Sequence, residues 1–274
     1  MPINACPTAP ADIRSLLPTR IELLGSPLDP VTMQDALRLV EDAVQRREPL
    51  RHVAMNAAKL VAMRDDPVLR RSIETAHLVT ADGQSIVWAS RLLGHPLPER
   101  VTGIDLMENV LGLASRRGFR VFTLGAREDV VRDAMQVLRR RHPGLKIVGA
   151  VDGYFTPEQE ADVVRRVTAA APDILFVALS TPKKELFLAS HHDALGIPFC
   201  MGVGGSLDVI AGRVRRAPRV FQRLGLEWSF RLAQEPRRLW RRYVRSNSAF
   251  LWLLLGEGLR RARRGTGSPP SRRD

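Results

Sequence analysis

Six short apolar runs in this chain each stop at a residue able to take part in chemistry. Asn56 follows HVAM (His52–Met55), Asp82 follows HLVTA (His77–Ala81) and Gly125 follows FRVFTL (Phe119–Leu124). Asp152-Gly153-Tyr154 follow KIVGAV, Ser180 to Glu185 (STPKKE) follow DILFVAL, and Gly204 to Asp208 (GGSLD) follow PFCMGV. Carboxylates and amides at such places can bind or polarise a ligand. Glycines let a backbone approach a phosphate or a sugar closely. Each residue alone has an ordinary structural explanation, because Asp-Gly is a common tight turn and Asn or Asp a common helix cap. Their recurrence at six successive strand ends favours a shared site.

Other chemistries lack their residues. No GxGxxG opens the first unit, and GVGGS (Gly202–Ser206) comes too late and is wrongly spaced for a dinucleotide. Walker A, HExxH and GxSxG motifs and an Asp-x-Asp pair are absent. Cys6 and Cys200 are too few for a disulfide framework and fit a reduced compartment. Asp65-Asp66 read as a solvated helix cap, and the neighbours His191-His192 as surface residues.

The charge is unevenly placed. The chain carries a net +13 over 274 residues, yet residues 213–274 alone hold 17 Arg against 4 acidic residues. Residues 1–212 are therefore neutral, and the whole excess belongs to a basic appendage that suits phosphate-bearing partners. Within it Arg237, Arg238, Arg241, Arg242 and Arg245 recur at roughly helical spacing. Arginine meets phosphate oxygens in pairs through its planar guanidinium.

The elements that must position these residues alternate. Strand-like runs are followed by helical patterns, as at Thr32, where Met33, Ala36, Leu37, Val40, Ala43 and Val44 form one apolar stripe. Thr32 with Asp35 suggests a capping box. Repeated alternation predicts an α/β, Rossmann-like fold: a mostly parallel sheet with helices on both faces, plus a basic helical C-terminal appendage. Ligands in such sheets bind beyond the carboxyl ends of the strands, where strand order reverses. The expected organisation is a flexible leader over 1–19, an α/β core over 20–212, an appendage over 213–259 and a disordered tail over 260–274. A chain ending after Val220 is expected to keep the fold.

Several motifs then occur in a fixed order: NAAKL (Asn56–Leu60), ADGQSIVWAS (Ala81–Ser90), LPERVTGIDL (Leu97–Leu106) and DGYF (Asp152–Phe155). TPKKE (Thr181–Glu185), MGVGGSLD (Met201–Asp208), RRAP (Arg215–Pro218), GLEW (Gly225–Trp228) and EPRRLWRRY (Glu235–Tyr243) continue the series. As an ordered set over roughly residues 20–245 it resembles the WecG/TagA/CpsF glycosyltransferases. The resemblance implies an inverting, metal-independent enzyme needing no cofactor. Such an enzyme moves a hexose or N-acetylhexosamine, with an N-acetylmannosamine-type donor favoured, from a UDP-sugar to a polyprenyl-diphosphate-linked (undecaprenyl) saccharide. The product would be teichoic acid, exopolysaccharide or another cell-surface polysaccharide.

Residue by residue, the resemblance makes Asp82 the general base and places Arg100 at the donor sugar and diphosphate. It assigns Asn56, Gly125, Tyr154, Lys184 and Asp208 to the donor and UDP pocket, and Arg231, Arg238 and Arg241 to the acceptor's lipid diphosphate. Two positions depart from the family's usual pattern: Ala54 stands where many relatives have Thr, and Lys184 where many have Gln. The implied partners are the UDP-sugar, the lipid-linked glycan acceptor and an anionic membrane surface, with no nucleic acid; self-association into a homo-oligomer is left open.

The alternative is a basic-tailed α/β protein that binds nucleic acid or membrane without catalysis. Trp228, Phe230, Trp240, Tyr243, Phe250 and Trp252 are interleaved with the arginines, as base stacking would require. They fall beside leucines at amphipathic spacing, however, which suits a membrane interface better. The most apolar late stretch, Ala249–Gly256, is far shorter than the roughly 20 residues of a membrane span. A cytoplasmic protein, peripheral on the inner face of the plasma membrane, is expected.

Overall fold

A two-stranded hairpin leads the chain into its sheet. In the computed structural model, which describes residues 13–265, β1 (Ile21–Leu23) and β2 (Ser26–Leu28) pair antiparallel around Leu24-Gly25, both at positive φ. The return strand is not legible in the sequence, since the tripeptide Ser26-Pro27-Leu28 has no periodicity to show. Ahead of it, Ile13–Leu16 form a 3-10 turn with Ile13 buried, so the part of the expected leader that is described is folded; residues 1–12 lie outside the described residues. Just past β2 the fully buried Asp29 accepts from Arg14 and Arg20 and from the Val79 N–H. This segment covers one edge of the main sheet.

The six runs of the strand-end pattern form that sheet: β3 (Leu50–Met55), β4 (Leu78–Ala81), β5 (Arg120–Gly125), β6 (Lys146–Val151), β7 (Ile174–Ala178) and β8 (Phe199–Gly202). They pair entirely in parallel in the order β4-β3-β8-β7-β5-β6. Alternate residues of β7 supply opposite cores. Ile174, Phe176 and Ala178 join the first, while Leu175 and Val177 join another. Such double burial is why these strands read as continuous apolar runs.

The first face is covered by α1 (Met33–Arg46), α5 (Gly103–Arg117), α6 (Glu128–Arg141) and the short α9 (Ser206–Ile210). The second carries α2 (Ala57–Asp65), α3 (Pro67–Glu74), α4 (Gln84–Leu92), α7 (Pro157–Ala169) and α8 (Lys183–Leu195). Helices thus flank both faces. Thr32 caps α1 with the reciprocal box that its spacing with Asp35 suggests. Asp66 caps α3 through the Val68 and Leu69 amides.

Beyond the sheet, α10 (Arg219–Arg223), α11 (Glu227–Gln234) and α12 (Pro236–Gly265) complete the fold. α12 outlasts the expected appendage: residues 260–265, assigned to a disordered tail, continue the helix, while 266–274 lie outside the described residues. Nor is this helix separable. Phe250 is buried among Leu60, Met63 and their neighbours in the core beneath α2, so cutting after Val220 would uncover apolar core surface. Arg216 pairs with Asp105 at 2.5 Å, and Arg213 with Asp133 at 2.6 Å, linking the segment before α10 to α5 and α6.

Candidate active site

Asp82 is delivered by the end of β4. Its N–H donates to the Met55 carbonyl at 2.8 Å, locking the turn after β4 to the end of β3. Its Oδ1 accepts the Gly103 N–H at 2.9 Å and its Oδ2 the Asn56 amide at 3.4 Å. Gly103 is the first residue of α5, so the carboxylate lies against a helix N-terminus, where negative charge is favoured. Asn56 in turn caps α2, its Oδ1 accepting the Lys59 N–H at 3.0 Å, and this fixes which way its NH2 points. Asp82 remains partly exposed, hence accessible to an incoming hydroxyl.

The helix that supports this carboxylate escaped the strand-end reading. Its signals are present: Thr102 and Asp105 at capping spacing, the stripe Leu106, Met107, Val110, Leu111 and Ala114, and Gly118 in the left-handed conformation at its end.

Arg100 lies three residues before Gly103, so one segment carries both the arginine and the amide that holds Asp82. Its Nη1 donates to Glu227 Oε2 at 2.8 Å, joining the core to α11. Gln84, Arg100, Arg219 and Gln222 line an open cleft of about 390 Å³. Arg219 and Glu227 are therefore additions to the sequence-derived set, visible only once the chain is folded.

Strand order reverses between β5 and β7, the place where ligands bind in sheets of this kind. The connection from β5 runs outward to β6, and that from the adjacent β7 runs the opposite way to β8. Gly125 ends β5 at φ +120, and a Cβ there would stand 2.5 Å from the Ala178 backbone, so only glycine fits. The Gly153 N–H donates to the Ala126 carbonyl at 2.8 Å, bringing the loops after β5 and β6 together. Tyr154 projects from this junction into solvent, 77% exposed. Arg127, not singled out in the sequence, interacts electrostatically with both Tyr154 and Asp208; its guanidinium is held further above its ordinary value by the hydrogen bond to Asp129.

Asp208 and Arg231 converge on the glycine-rich loop. A Cβ on Gly205 would lie 3.1 Å from an Arg231 Nη2 and 3.7 Å from Asp208 Oδ2. Arg241 lies over the ring of its neighbour Trp240 at 5.5 Å. Arg238 is on α12 with its side chain outside the described residues.

Lys184 turns inward. Its ammonium donates to Thr181 and pairs with Glu185 Oε1 at 3.0 Å, while Lys59 reaches the same oxygen at 2.8 Å and the Ala54 carbonyl at 2.6 Å. Burial would push the Glu185 carboxyl up, but the Lys59 and Lys184 ammoniums outweigh it and hold it below the ordinary carboxylate value. The expectation that His191-His192 are surface residues needs correction. His192 is buried, its ring 5.3 Å from that of His77, because the turn of α8 that carries it packs inward; His191 bonds Glu160 at 2.6 Å.

Asn56 and Asp82 are thus directly bonded, Asp208 and Arg231 both approach Gly205, and Gly125 and Tyr154 share a loop junction. Among the described residues no group of three His, Cys, Asp or Glu side chains is arranged to hold a metal ion, and no helix is long and apolar enough to cross a membrane.

A parallel doubly wound sheet with its polar residues gathered beyond the strand ends is the frame of an α/β ligand-binding enzyme. Residues 21–264 match the family model of the glycosyl transferase WecG/TagA/CpsF family, and the chain belongs to that family. It is accordingly a glycosyltransferase of cell-surface polysaccharide synthesis, a class that takes a sugar-nucleotide donor and a lipid-linked acceptor.

Proposed function

We propose that the protein is an inverting, metal-independent glycosyltransferase. In this reading it moves a hexose or N-acetylhexosamine, N-acetylmannosamine-type by preference, from a UDP-sugar to a polyprenyl-diphosphate-linked saccharide. The observation that carries the reading is the Asp82 carboxylate, oriented by the Gly103 N–H and the Asn56 amide yet open to solvent. Asp82 takes the proton of the acceptor hydroxyl as its oxygen bonds to the anomeric carbon; the bond from that carbon to the diphosphate oxygen breaks, and UDP leaves with the electron pair. Attack from the face opposite the leaving group inverts the centre.

The departing diphosphate needs positive charge. Arg100 with Arg219 supplies it along the cleft, and Arg127 supplies it beside the glycine-rich loop, where Arg231 stands ready for the acceptor's lipid diphosphate. The acceptor is held at a membrane in this reading. Val244, Leu251, Trp252, Leu255 and Leu259 form an exposed stripe along α12, with Arg237, Arg241, Arg245 and Arg260 also exposed on that helix. Such a helix suits the headgroup region of an anionic leaflet on the inner face of the plasma membrane.

Calorimetric titration of UDP into the full chain, in EDTA, in magnesium and with anionic vesicles, tests the proposal. Equal binding in EDTA and magnesium supports the metal-free site. Binding that appears only with magnesium overturns metal independence, and no binding in any of the three overturns the UDP-sugar reading.

A further inference from the structure

Two polar side chains are buried side by side in the core face shared with α1 and α5. The parallel pairing of β3 with β4 sets His52 opposite Leu78 and Ala54 opposite Thr80. His52 and Thr80 therefore point to one face, that of Leu50 and Leu78 in the first core. Both are sealed from solvent, at 1% and 0% exposure. Burying two such groups among apolar neighbours is costly unless each finds a partner.

They find each other and one carbonyl. Thr80 Oγ1 lies 2.9 Å from His52 Nε2 and donates to the Val101 carbonyl at 3.2 Å. A hydroxyl has a single hydrogen, and here it is committed to Val101. His52 Nε2 therefore carries the ring proton and donates to Thr80, which fixes how the hydroxyl turns. Burial, with the Lys59 charge adding to it, keeps the imidazole neutral as this arrangement requires.

The Val101 carbonyl matters for where it lies. Residues 93–102 join α4 to α5 without forming an element of their own. Val101 stands two residues before Gly103, and Thr80 stands two before Asp82. The end of β4 and this connection thus run side by side, tied by two rungs. The lower is the Thr80 hydroxyl on the Val101 carbonyl, and the upper is the Gly103 N–H on Asp82 Oδ1 at 2.9 Å. Only the lower rung is fully dry. A protonated carboxyl accepts a weaker hydrogen bond than a carboxylate, so the upper rung slackens whenever a base at Asp82 takes up its proton. The lower rung takes no part in that exchange. We propose that Thr80, its hydroxyl turned by His52, is a positioning residue of the transfer. It holds the connection in register, so that the Gly103 amide stays aimed at Asp82 while the carboxylate gains and loses its proton. The inference rests on the reading of Asp82 as the base, and adds to it two residues buried beneath the site.

Thr80→Val keeps the shape and deletes the hydroxyl, whereas Thr80→Ser keeps the hydroxyl. Full-length proteins are assayed for transfer from UDP-N-acetylmannosamine or UDP-glucose to a polyprenyl-diphosphate acceptor in vesicles, below the unfolding temperature of every variant. In Thr80→Val kcat should fall about ten-fold or more, since displacing a reacting group by about 1 Å can cost 10²-fold. UDP affinity by calorimetry should stay within about three-fold, and kcat of Thr80→Ser within about three-fold of wild type. A merely structural hydroxyl would lower Tm and leave kcat alone. In an Asp82→Asn background, Thr80→Val should cost less than about two-fold, because the group it misplaces is already gone.

A folded Thr80→Val protein with kcat within about two-fold of wild type overturns the proposal. So does an equal loss in both backgrounds, which would mean that Thr80 acts elsewhere than through Asp82. A Thr80→Ser protein as slow as Thr80→Val overturns it too, by tracing the loss to the methyl group. Should Thr80→Val not fold, Thr80→Cys replaces it: a thiol is a far weaker donor than the Thr80→Ser hydroxyl, and equal kcat in those two variants overturns the proposal. No transfer by the wild type, or turnover within about ten-fold of wild type in Asp82→Asn, is a distinct result. It removes the reading of the reaction and this inference with it.

Discussion

Replacing Asp82 by Asn tests the mechanism at its centre, because the structure separates what the carboxylate does for the fold from what it does for the reaction. The side chains have nearly the same shape, and the Asn oxygen can keep the Gly103 N–H bond that the carboxylate makes at 2.9 Å. What is lost locally is the attraction of a charge for the α5 N-terminus, worth about 0.3–1 kcal/mol. A second, similar penalty arises because the new amide nitrogen would face the Asn56 NH2, and Asn56 cannot turn over without giving up the Lys59 cap. Folding stability should therefore fall by no more than about 2 kcal/mol. Turnover should fall far more, since a positioned general base contributes roughly 10²–10⁴-fold, or about 3–5 kcal/mol of barrier. UDP does not contact the acceptor proton, so its affinity should stay within about two-fold. The assay is transfer of radiolabelled sugar from its UDP donor to a polyprenyl-diphosphate acceptor in vesicles, alongside thermal unfolding and UDP calorimetry on the same preparations. Turnover within ten-fold of wild type in a folded Asp82→Asn protein would refute the assignment of the base.

Three further outcomes are expected. Lys59→Met leaves Glu185 with one lysine fewer in a buried cluster and should cost about 3 kcal/mol or more, a drop in Tm of roughly 6 °C or more; adding Glu185→Gln should recover part of the loss, which thermal unfolding of the singles and double would show. His52 is held at about 3 by burial, with the Lys59 charge adding to the effect, so below its unfolded value near 6.5 only the unfolded chain takes up the proton. Stability from this group is complete above pH 6.5 and falls by about 1.4 kcal/mol per pH unit as pH drops toward 3; urea unfolding of His52→Gln between pH 7 and 5 should accordingly show a shallower loss than wild type. Changing Leu251, Trp252 and Leu255 together to Ser should weaken co-sedimentation with anionic vesicles at least ten-fold while UDP affinity holds, and unchanged sedimentation would remove α12 from the membrane contact.

The sheet was open to reading from sequence because its physics is local. Parallel strands buried on both faces leave unbroken apolar runs, and the residue after each run stands at the sheet's carboxyl edge whatever the tertiary detail. That logic reaches Asn56, Asp82, Gly125 and Asp208, and it supplies a reason to look at them together. It fails where pattern is too short to show, as in β2, and where a helix opens inside a motif already taken for chemistry, as α5 does at Gly103. The histidine pair fails for another reason. A charge-bearing dipeptide near a helix end suggests solvent, but the packing of α8 against α3 decides that His192 is buried.

What the sequence could not show is which groups restrain the chemistry-bearing residues, because those contacts close loops of unrelated length. Arg100 meets Glu227 across 127 positions, whereas Asn56 meets Asp82 across 26. The shorter contact joins two strand ends and follows from the parallel pairing of β3 with β4. The longer one depends on α10 and α11 folding back over the core, which no periodicity in residues 213–234 announces. Arg100 and Glu227 also differ in kind from the Glu185 cluster: their side chains are 16% and 26% exposed, so water screens the pair and its net worth to folding is about 1 kcal/mol at most. A contact so weak contributes little to stability but can still set direction. It turns Arg100 toward α11 along the cleft that Arg219 shares, and a diphosphate arriving there would compete with Glu227 for the same guanidinium. The Lys59–Glu185–Lys184 cluster is dry and fixes geometry between α2 and α8, whereas the Arg100–Glu227 pair is wet and leaves its guanidinium open to exchange.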